Sequence, residues 1–219
     1  MMQYTEPMRR VAFALLLLAA CSSPTADNGA RTQTAPEQPR EREEIAIDTA
    51  ALEAAGGVAY FAGGCFWGVE HFLEQIDGVL RVESGYMGGH LANPSYEDVS
   101  SQESGHLETV RVWFDPSKVA YEVVAKRFFE IHDPTQANGQ GPDIGPEYLS
   151  AVFVTDDVQR AVVEGLIDQL EARGYAVVTQ IKPAQGVTFW LAEDYHQNWY
   201  VNKREKPYCH APVDRFGDG

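Results

Sequence analysis

The amino-acid sequence predicts an α+β fold with a mixed sheet, in which a split β-α-β unit forms the core and long loops join the elements. Two observations lead to this expectation. Segments of alternating apolar residues and segments of helical periodicity follow one another in the order β-α-β-β-α-β, with a further helix between the last two strands. Two loops rich in Gly, Pro, Asn and Ser, at 85–104 and 133–147, are longer than most loops of compact domains and are typical of functional segments.

The elements are assigned in chain order from apolar periodicity and turn residues. The predicted elements are a strand at 58–62, a helix from 66 to 76, strands at 79–86 and 108–114, a helix at 121–132, a strand at 148–155, a helix at 156–173, a strand at 175–181 and a short helix or turn within 189–201. Val110, Val112 and Phe114, for example, alternate along one face of their strand. This series is that of a ferredoxin-like core.

Residues 1–21 have the features of a lipoprotein signal peptide. A pair of arginines precedes an apolar run at 11–20, which is too short to span a bilayer. The run ends in Leu-Ala-Ala-Cys, which resembles a bacterial lipobox with Cys21 as the lipid attachment site. Ser22 is not the aspartate that usually retains a lipoprotein at the inner membrane, so the resemblance implies the periplasmic side of the outer membrane. An ordinary secretory signal or a twin-arginine signal is the alternative.

The rest of the chain divides into a tether and a folded domain. Residues 22–57 are rich in Ser, Thr, Pro, Gln, Glu and Ala and nearly lack large apolar residues, which predicts a flexible tether. The domain spans 58–219 and ends in a proline-flanked tail that is predicted to be mobile. The net charge of −15, with no long basic cluster, argues against nucleic acid as a partner. We expect a monomer attached to the membrane only through its lipid.

Two of the three cysteines, Cys65 and Cys209, remain for chemistry if Cys21 is lipidated. In an oxidising compartment the pair could form a structural disulfide. Their placement favours a nucleophile and a resolving partner, because Cys65 follows two glycines and begins a helix, whose N-terminal end lowers the pKa of a thiol. Cys209 lies in the tail, which can carry it towards Cys65. No cysteine or histidine pair has zinc-ligand spacing and no dinucleotide loop is present, so neither a metal nor a bound cofactor is expected.

The residues around Cys65 carry a resemblance to a known family. Residues 62–70 read Ala-Gly-Gly-Cys-Phe-Trp-Gly-Val-Glu, which resembles the signature of the A-type methionine sulfoxide reductases. Further segments resemble the family in the same order, at 84–89, 93–97, 105–108, 132–136, 141–148 and 192–197. The resemblance covers residues 58 to 209, which is nearly the whole predicted domain, and the full ordered set is far more specific than the first motif alone.

The resemblance implies that the protein reduces methionine-S-sulfoxide, free or in oxidised proteins, to methionine. Cys65 attacks the sulfoxide and becomes a sulfenic acid, which condenses with Cys209 to a disulfide. A thioredoxin-like reductant then restores both thiols by exchange. Glu108 supplies the proton for the departing oxygen, a role that requires the raised pKa of a carboxyl in an apolar pocket.

The resemblance assigns the other site residues to substrate binding. Phe66 and Trp67 form a pocket for the S-methyl group, although aromatic residues at a helix start more commonly belong to the core. Tyr96 and Tyr148 hydrogen-bond the sulfoxide oxygen and stabilise developing charge. Asp143 binds the substrate backbone or orders its loop.

The sequence departs from the family pattern at a few positions. Leu107 replaces the usual alanine beside Glu108, and Ser100 stands where many members have an extra cysteine. Pro146-Glu147 replaces a Thr-Gln pair in the second loop. Leu107 and Pro146-Glu147 adjoin expected site residues, so we expect them to change the reaction rate or the substrate preference.

Two other functions are open at the level of sequence. A thiol peroxidase or disulfide exchanger also uses a cysteine at a helix start, but it would not need Trp67 or Glu108. An inactive, lipid-anchored binding domain would not need Cys65. The presence of the full residue set favours the reductase.

Overall fold

The computed structural model of the protein describes residues 56–217. Its strands are β1 (Gly57–Ala62), β2 (Val79–Met87), β3 (Leu107–Phe114), β4 (Gly139–Gln140), β5 (Asp143–Ile144), β6 (Ala151–Val154), β7 (Gln180–Pro183) and β8 (Phe189–Leu191). Its helices are α1 (Phe66–Leu73), α2 (Tyr96–Ser100), α3 (Tyr121–Ile131), α4 (Asp157–Ala172) and α5 (Trp199–Lys203), with single 3₁₀ turns at Pro146–Tyr148 and Asp194–His196.

Six of these strands form one mixed sheet, in the order β7-β6-β1-β3-β2-β8. The strand β3 lies between β1 and β2 and is antiparallel to both, while α1 connects β1 to β2. The strand β6 is antiparallel to β1, and β7 is parallel to β6. The predicted α+β class with a mixed sheet is therefore confirmed. The two-residue strands β4 and β5 form a separate hairpin.

The helices α1, α3 and α4 share the main apolar core with the central strands. Phe61 of β1 and Phe128 of α3 are both 0% exposed, and their ring centroids are 4.8 Å apart. Val69 of α1 and Leu166 of α4 belong to the same cluster. Burying aromatic and aliphatic side chains of this size contributes about 1.5–3 kcal/mol each. This core fixes the end of β1 against the start of α1, where Cys65 lies.

The structure corrects several predicted elements. The loop predicted at 85–104 contains α2, which begins with a capping box between Ser95 and Asp98. The segment 189–201, predicted as a short helix or turn, begins with the strand β8, which pairs with the end of β2. The strand predicted at 175–181 starts only at Gln180, and the loop at 133–147 contains the β4–β5 hairpin. These elements are short, and tertiary pairing outweighs their weak periodicity.

Part of the predicted domain organisation lies outside the described residues, namely the signal peptide at 1–21, the lipid attachment site Cys21 and residues 22–55 of the tether. Gly57, which the prediction placed in the tether, instead begins β1 and pairs with Phe114. Between residues 56 and 217, no helix is long and apolar enough to cross a membrane.

The C-terminal tail, predicted to be mobile, lies packed on the domain as far as residue 217. Phe216 is 1% exposed, and the guanidinium of Arg215 donates to the carbonyl oxygens of Phe129 and Glu130 at 3.2 and 2.9 Å. The backbone N–H of Val213 also donates to the Glu130 carbonyl at 2.8 Å. These contacts hold the tail against the end of α3, on the side from which Cys209 reaches the site.

Glu70 of α1 is a buried carboxyl that orders the segment leading into α5. Its Oε2 accepts a hydrogen bond of 3.0 Å from the backbone N–H of Asn198, which has a left-handed φ of 53°. Burial raises the pKa of Glu70 to about 8, against the opposing effect of the hydrogen bonds from Asn198 and Trp199. Because the pKa of Glu70 is raised in the folded state, the folded protein binds more protons than the unfolded chain between about pH 4.5 and about pH 8. The free energy of unfolding therefore decreases as the pH rises through this range.

We expect Glu70→Gln to weaken this pH dependence. Between pH 5 and pH 8 the free energy of unfolding of the wild type should fall more than that of the variant, by on the order of 2–4 kcal/mol. Urea unfolding of the reduced proteins at both pH values measures the difference. Glu171→Gln, at an exposed position of α4, is the matched control and should follow the wild type. Parallel curves for Glu70→Gln and the wild type would contradict a buried, protonated carboxyl.

Candidate active site

The turn between β1 and α1 presents Cys65 at the start of a helix. Gly64 has a φ of +92°, and a Cβ at this residue would lie 2.3 Å from the Cβ of Gln140. A Cβ at Gly63 would lie 2.6 Å from the ring of Phe128. The two glycines therefore allow a close approach that no other residue permits. Cys65 follows them as the N-cap of α1 and is 5% exposed.

The structure brings Cys65 together with Cys209 and Asp143. The two Sγ atoms and a carboxylate oxygen of Asp143 all lie within 4.8 Å of one another, and both cysteines are free and buried. Sequence reasoning required the tail to swing inwards for this contact. In the structure Cys209 already lies beside Cys65, because the tail is seated on the domain.

The predicted lowering of the Cys65 pKa is wrong in its net direction. A hydrogen bond with Cys209, burial and the proximity of Cys209 raise the pKa of the Cys65 thiol well above its ordinary value. The hydrogen bond from the backbone N–H of Trp67 lowers the Cys65 pKa. This is the effect that was expected from the position of Cys65 at the start of a helix. Burial and a second thiol outweigh the helix N-terminus, since a thiolate loses solvation in a dry site.

Glu108 lies beside Cys65 as a neutral acid. It is the second residue of β3, is 3% exposed, and accepts a hydrogen bond of 3.0 Å from the backbone N–H of Phe66 through Oε2. Burial, and then the proximity of Cys65, raises the pKa of Glu108 well above its usual range. The protonated carboxyl is therefore favoured at this position, next to the residue that follows Cys65.

Two tyrosines complete the polar side of the site. Tyr96 begins α2 and Tyr148 ends the 3₁₀ turn at Pro146–Tyr148. Burial and then the nearby Glu108 raise the pKa of both phenols. Both groups therefore stay protonated and can donate to an oxygen atom.

An aromatic wall, made of Phe66, Trp67, His196 and Trp199, forms the apolar side. The Trp67 ring stacks on Trp199 with centroids 4.0 Å apart and an interplanar angle of 5°. The indole Nε1–H of Trp67 donates to Nδ1 of His196 at 3.0 Å. Burial lowers the pKa of His196 to about 4, so its ring is neutral and can accept this bond. The Phe66 ring packs edge-on against His196 at 5.0 Å.

Glu193 ties the two sides of the site together. Its Oε2 accepts a hydrogen bond of 2.9 Å from the Tyr86 hydroxyl, and its Oε1 accepts one of 3.0 Å from the backbone N–H of Tyr96. One carboxylate thus links β2 to the start of α2 and sets the position of the Tyr96 side chain.

Tyr208 and His210 flank Cys209 and were not predicted as site residues. The Tyr208 hydroxyl donates to Asp143 at 3.0 Å, and Nδ1 of His210 lies 2.9 Å from Sγ of Cys209. Trp199 was also missed, while His196 lies in the segment 192–197 that carries part of the family resemblance. The only signal in the sequence for Tyr208 and His210 was their adjacency to Cys209. Adjacency alone does not show whether a side chain contacts the site or belongs to a surface turn.

The Cys65, Asp143 and Cys209 ligand atoms are close enough to surround a metal ion. Two thiols this close can instead form a disulfide, and a metal ion bound to both would prevent that reaction.

A site of this composition can carry out a two-electron reduction with its own side chains. Two thiols supply the electrons as they become a disulfide, a neutral carboxyl supplies a proton, and phenol hydroxyls can hold the oxygen that leaves. These properties define a thiol-dependent oxidoreductase.

The comparisons with known proteins identify the family. Residues 57–218 match the family model described as peptide methionine sulfoxide reductase. MsrA of Deinococcus radiodurans is 45% identical over 163 residues, covering 73% of this chain and 78% of the relative. MsrA of Acidobacterium capsulatum is 45% identical over 155 residues, covering 69% and 97%. The chain therefore belongs to the peptide methionine sulfoxide reductase family, and its activity is that of a peptide-methionine (S)-S-oxide reductase.

Solved structures have the same fold. Mxr1 from Saccharomyces cerevisiae in its reduced form has a TM-score of 0.67 and 28% identity, covering 72% of this chain and 92% of that one. Methionine sulfoxide reductase A of Corynebacterium diphtheriae has a TM-score of 0.63 and 29% identity, covering 73% and 83%.

Gly68→Ala is expected to destabilise the folded protein. A Cβ at this position of α1 would lie 2.2 Å from Nδ1 of His210, and overpacking of this kind costs about 1–3 kcal/mol. Gly165→Ala in α4 is the matched control, because no atom lies within 4 Å of its Cβ position. The control should gain up to ~1 kcal/mol from helix propensity. Urea unfolding of the reduced proteins measures both, and equal changes in the two variants would show that the tail does not press on α1.

Proposed function

We propose that the chain reduces methionine-S-sulfoxide by a two-thiol cycle in which Cys65 is the nucleophile and Cys209 the resolving cysteine. The observation that carries the proposal is the grouping of both sulfur atoms within 4.8 Å, beside the buried Glu108. Sequence reasoning arrived at the same pair from motif and position.

In the first step, the oxygen atom passes from the methionine sulfur to the Cys65 sulfur. Glu108 protonates the sulfoxide oxygen, which makes the substrate sulfur more electrophilic, and the Cys65 thiolate attacks that sulfur. Tyr96 and Tyr148 donate hydrogen bonds to the oxygen as its charge develops. The S–S bond formed by the attack and the methionine S–O bond then break as the hydroxyl group moves to the Cys65 sulfur, which gives methionine and a Cys65 sulfenic acid. The proton lost by the Cys65 thiol returns to Glu108.

The aromatic wall binds the methyl group of the substrate. A sulfoxide methyl carries partial positive charge, which favours the faces of Phe66 and Trp67. Trp199 and His196 hold the Trp67 ring by stacking and by a hydrogen bond, so that ring is in place before the substrate arrives. Asp143, within reach of both thiols, can accept a hydrogen bond from the substrate backbone.

In the second step, the Cys209 sulfur attacks the Cys65 sulfenic acid and releases water, which leaves a Cys65–Cys209 disulfide. A thioredoxin-like reductant then reduces the disulfide by thiol exchange. Tyr208, beside Cys209, is 61% exposed, so this part of the tail is accessible to a protein partner. No cofactor bound to the enzyme is required, because an external thiol supplies the electrons.

We also propose that β6, β1, β3 and β2 form a ferredoxin-like core. The split β1-α1-β2 unit with β3 between its strands supports this classification. The strands β7 and β8 then extend the core at its two edges. In this arrangement the nucleophile lies at the junction of the first strand and the first helix.

The cycle predicts a specific pattern of turnover for a peptide whose methionine sulfoxide is resolved into its two epimers. With dithiothreitol, the wild type should reduce the S epimer only and Cys65→Ser should reduce neither. Cys209→Ser should remain active with dithiothreitol, which reduces a sulfenic acid directly, but should lose turnover with thioredoxin. Chromatographic measurement of methionine checks each arm. Turnover of hydrogen peroxide by the wild type, with none of either sulfoxide epimer, would favour the thiol peroxidase instead.

We further propose that the mature protein is a periplasmic lipoprotein, anchored through Cys21 to the cell envelope and directed to the outer membrane. The lipobox-like sequence before Cys21 and the following serine support this location. The tether at 22–57 would let the reductase domain reach oxidised proteins near the membrane, and the domain would act as a monomer.

Expression with radiolabelled palmitate in a bacterial host tests the anchor. The wild type should carry the label and sediment with membranes, whereas Cys21→Ala should be unlabelled. The activity of both should be equal, because Cys21 lies outside the family match at 57–218. An unlabelled wild-type protein in the soluble periplasmic fraction would indicate an ordinary secretory signal.

A further inference from the structure

The imidazole of His210 occupies a buried position between Cys209 and the turn that carries the nucleophile. The residue is 5% exposed. Its Nε2 lies 2.7 Å from the carbonyl oxygen of Gly63, and its Nδ1 lies 2.9 Å from Sγ of Cys209. A carbonyl oxygen can only accept a hydrogen bond, so Nε2 carries the proton of the neutral ring. Nδ1 is then unprotonated, and the Cys209 S–H donates to it.

The local structure makes room for this ring. A Cβ at Gly68 would lie 2.2 Å from Nδ1, and a Cβ at Gly64 would lie 3.5 Å from Cε1 of the same ring. Gly68 thus makes room for the imidazole, whereas a Cβ at Gly64 would be in ordinary van der Waals contact with it. The Gly63 carbonyl fixes the tautomer, which is how an orienting group prepares a histidine to act as a base.

The surroundings keep the ring neutral and able to accept a proton. Burial lowers the pKa of His210, while the Gly63 hydrogen bond and the Asp143 carboxylate act in the opposite direction. The titratable groups that face the ring are Cys65, Cys209, Asp143 and, from the end of α3, His132. Burial lowers the pKa of His132 to about 3, so that neighbour is also uncharged. Asp143 is the group that can stabilise a transient imidazolium.

We propose that His210 is the general base of the second step, which activates the resolving cysteine. This inference rests on the two-thiol cycle proposed above. Nδ1 takes the proton of the Cys209 thiol as its sulfur attacks Cys65 Sγ–OH. The S–S bond forms and the S–O bond breaks, and the departing hydroxide takes the proton back from the imidazolium to leave as water. The sulfenic acid is reduced, the Cys209 thiol is oxidised, and His210 returns to its starting state.

The role addresses a specific difficulty of this site. Cys209 is 7% exposed beside Cys65, so few water molecules can take its proton directly. A base in direct contact removes the proton only as the new bond forms, so no free thiolate has to accumulate. General bases of this kind accelerate proton-coupled steps by about 10²–10⁴-fold.

A single-turnover experiment with His210→Gln tests the proposal. Glutamine retains an amide N–H that can donate to the Gly63 carbonyl, but it has no basic nitrogen. Reduced enzyme is mixed with excess peptide methionine-S-sulfoxide in the absence of other thiols, and samples are acid-quenched to count methionine and remaining thiols. Wild type should yield one methionine and lose two thiols. The variant should form methionine at a rate within about 2-fold of wild type, while disulfide formation slows by roughly 100-fold at pH 7.

The pH dependence separates a base from a merely structural histidine. From pH 6 to 8 the wild-type rate of disulfide formation should be nearly flat, because the base is already neutral. In His210→Gln it should rise about tenfold per pH unit, as expected for attack by a spontaneously ionised thiol. His210→Asn serves as a second variant with the same expectation.

Three outcomes would overturn the assignment. Disulfide formation at the wild-type rate in both variants would exclude a base. Slower disulfide formation with an unchanged, flat pH profile would show that His210 only positions Cys209. Loss of the methionine burst would show that His210 is needed for the structure of the site. Absence of methionine from the wild type is a different failure, because it would overturn the two-thiol cycle itself.

Discussion

The close approach of other elements to the turn between β1 and α1 is the constraint on which the site depends. Phe128 and Gln140 approach Gly63 and Gly64 of this turn, and His210 approaches Gly68 of α1, more closely than a side chain at these glycines would allow. Because the three glycines lack side chains, the core, the β4–β5 hairpin and the C-terminal tail can all pack against this segment. Cys65 is thereby enclosed at a helix start, with its second thiol already in contact.

Enclosure sets the protonation states that the chemistry needs. The pKa values of Cys65, Glu108, Tyr96 and Tyr148 are all raised, with burial the first cause for all but the thiol. The resting site is therefore proton-rich, which suits the removal of an oxygen atom but opposes formation of the nucleophilic thiolate. Cys209, the neighbouring thiol, is the largest cause of the raised Cys65 pKa.

Each side of the site is supported by residues far away in sequence. Glu193 fixes Tyr96 through its backbone N–H, and Glu70 orders the segment that places Trp199 against Trp67. A carboxylate that accepts two or more hydrogen bonds can hold two loops in register where neither has a core of its own. The predicted loop at 85–104 is therefore tied by the Glu193 carboxylate to the strand that precedes it.

The longer elements were predictable because their periodicity is strong. The helix α4 was placed within one residue at each end, and β1, β2 and β3 within one residue as well. The strand β8 and the helix α2 were not found: β8 depends on pairing with Gly85–Met87, and α2 has a single turn whose only signal was the Ser95–Asp98 capping box. The direction of the shift in the Cys65 pKa was also predicted wrongly. The sequence shows that Cys65 begins a helix, but it shows neither the burial of Cys65 nor its proximity to the second thiol.

The sequence by itself determined the chemical inventory and the family: the glycine-flanked Cys65, the aromatic pair that follows it, and an ordered series of motifs. Only the tertiary structure decided that the tail is seated with Cys209 against Cys65, that Trp199 and His196 fix Trp67, and that His210 contacts the resolving thiol. The physical reason is distance along the chain. Local patterns record propensities and motifs over a few residues, whereas the stacking on Trp67, the approach of the two thiols and the Gly63–His210 hydrogen bond join groups more than a hundred residues apart that only packing brings together.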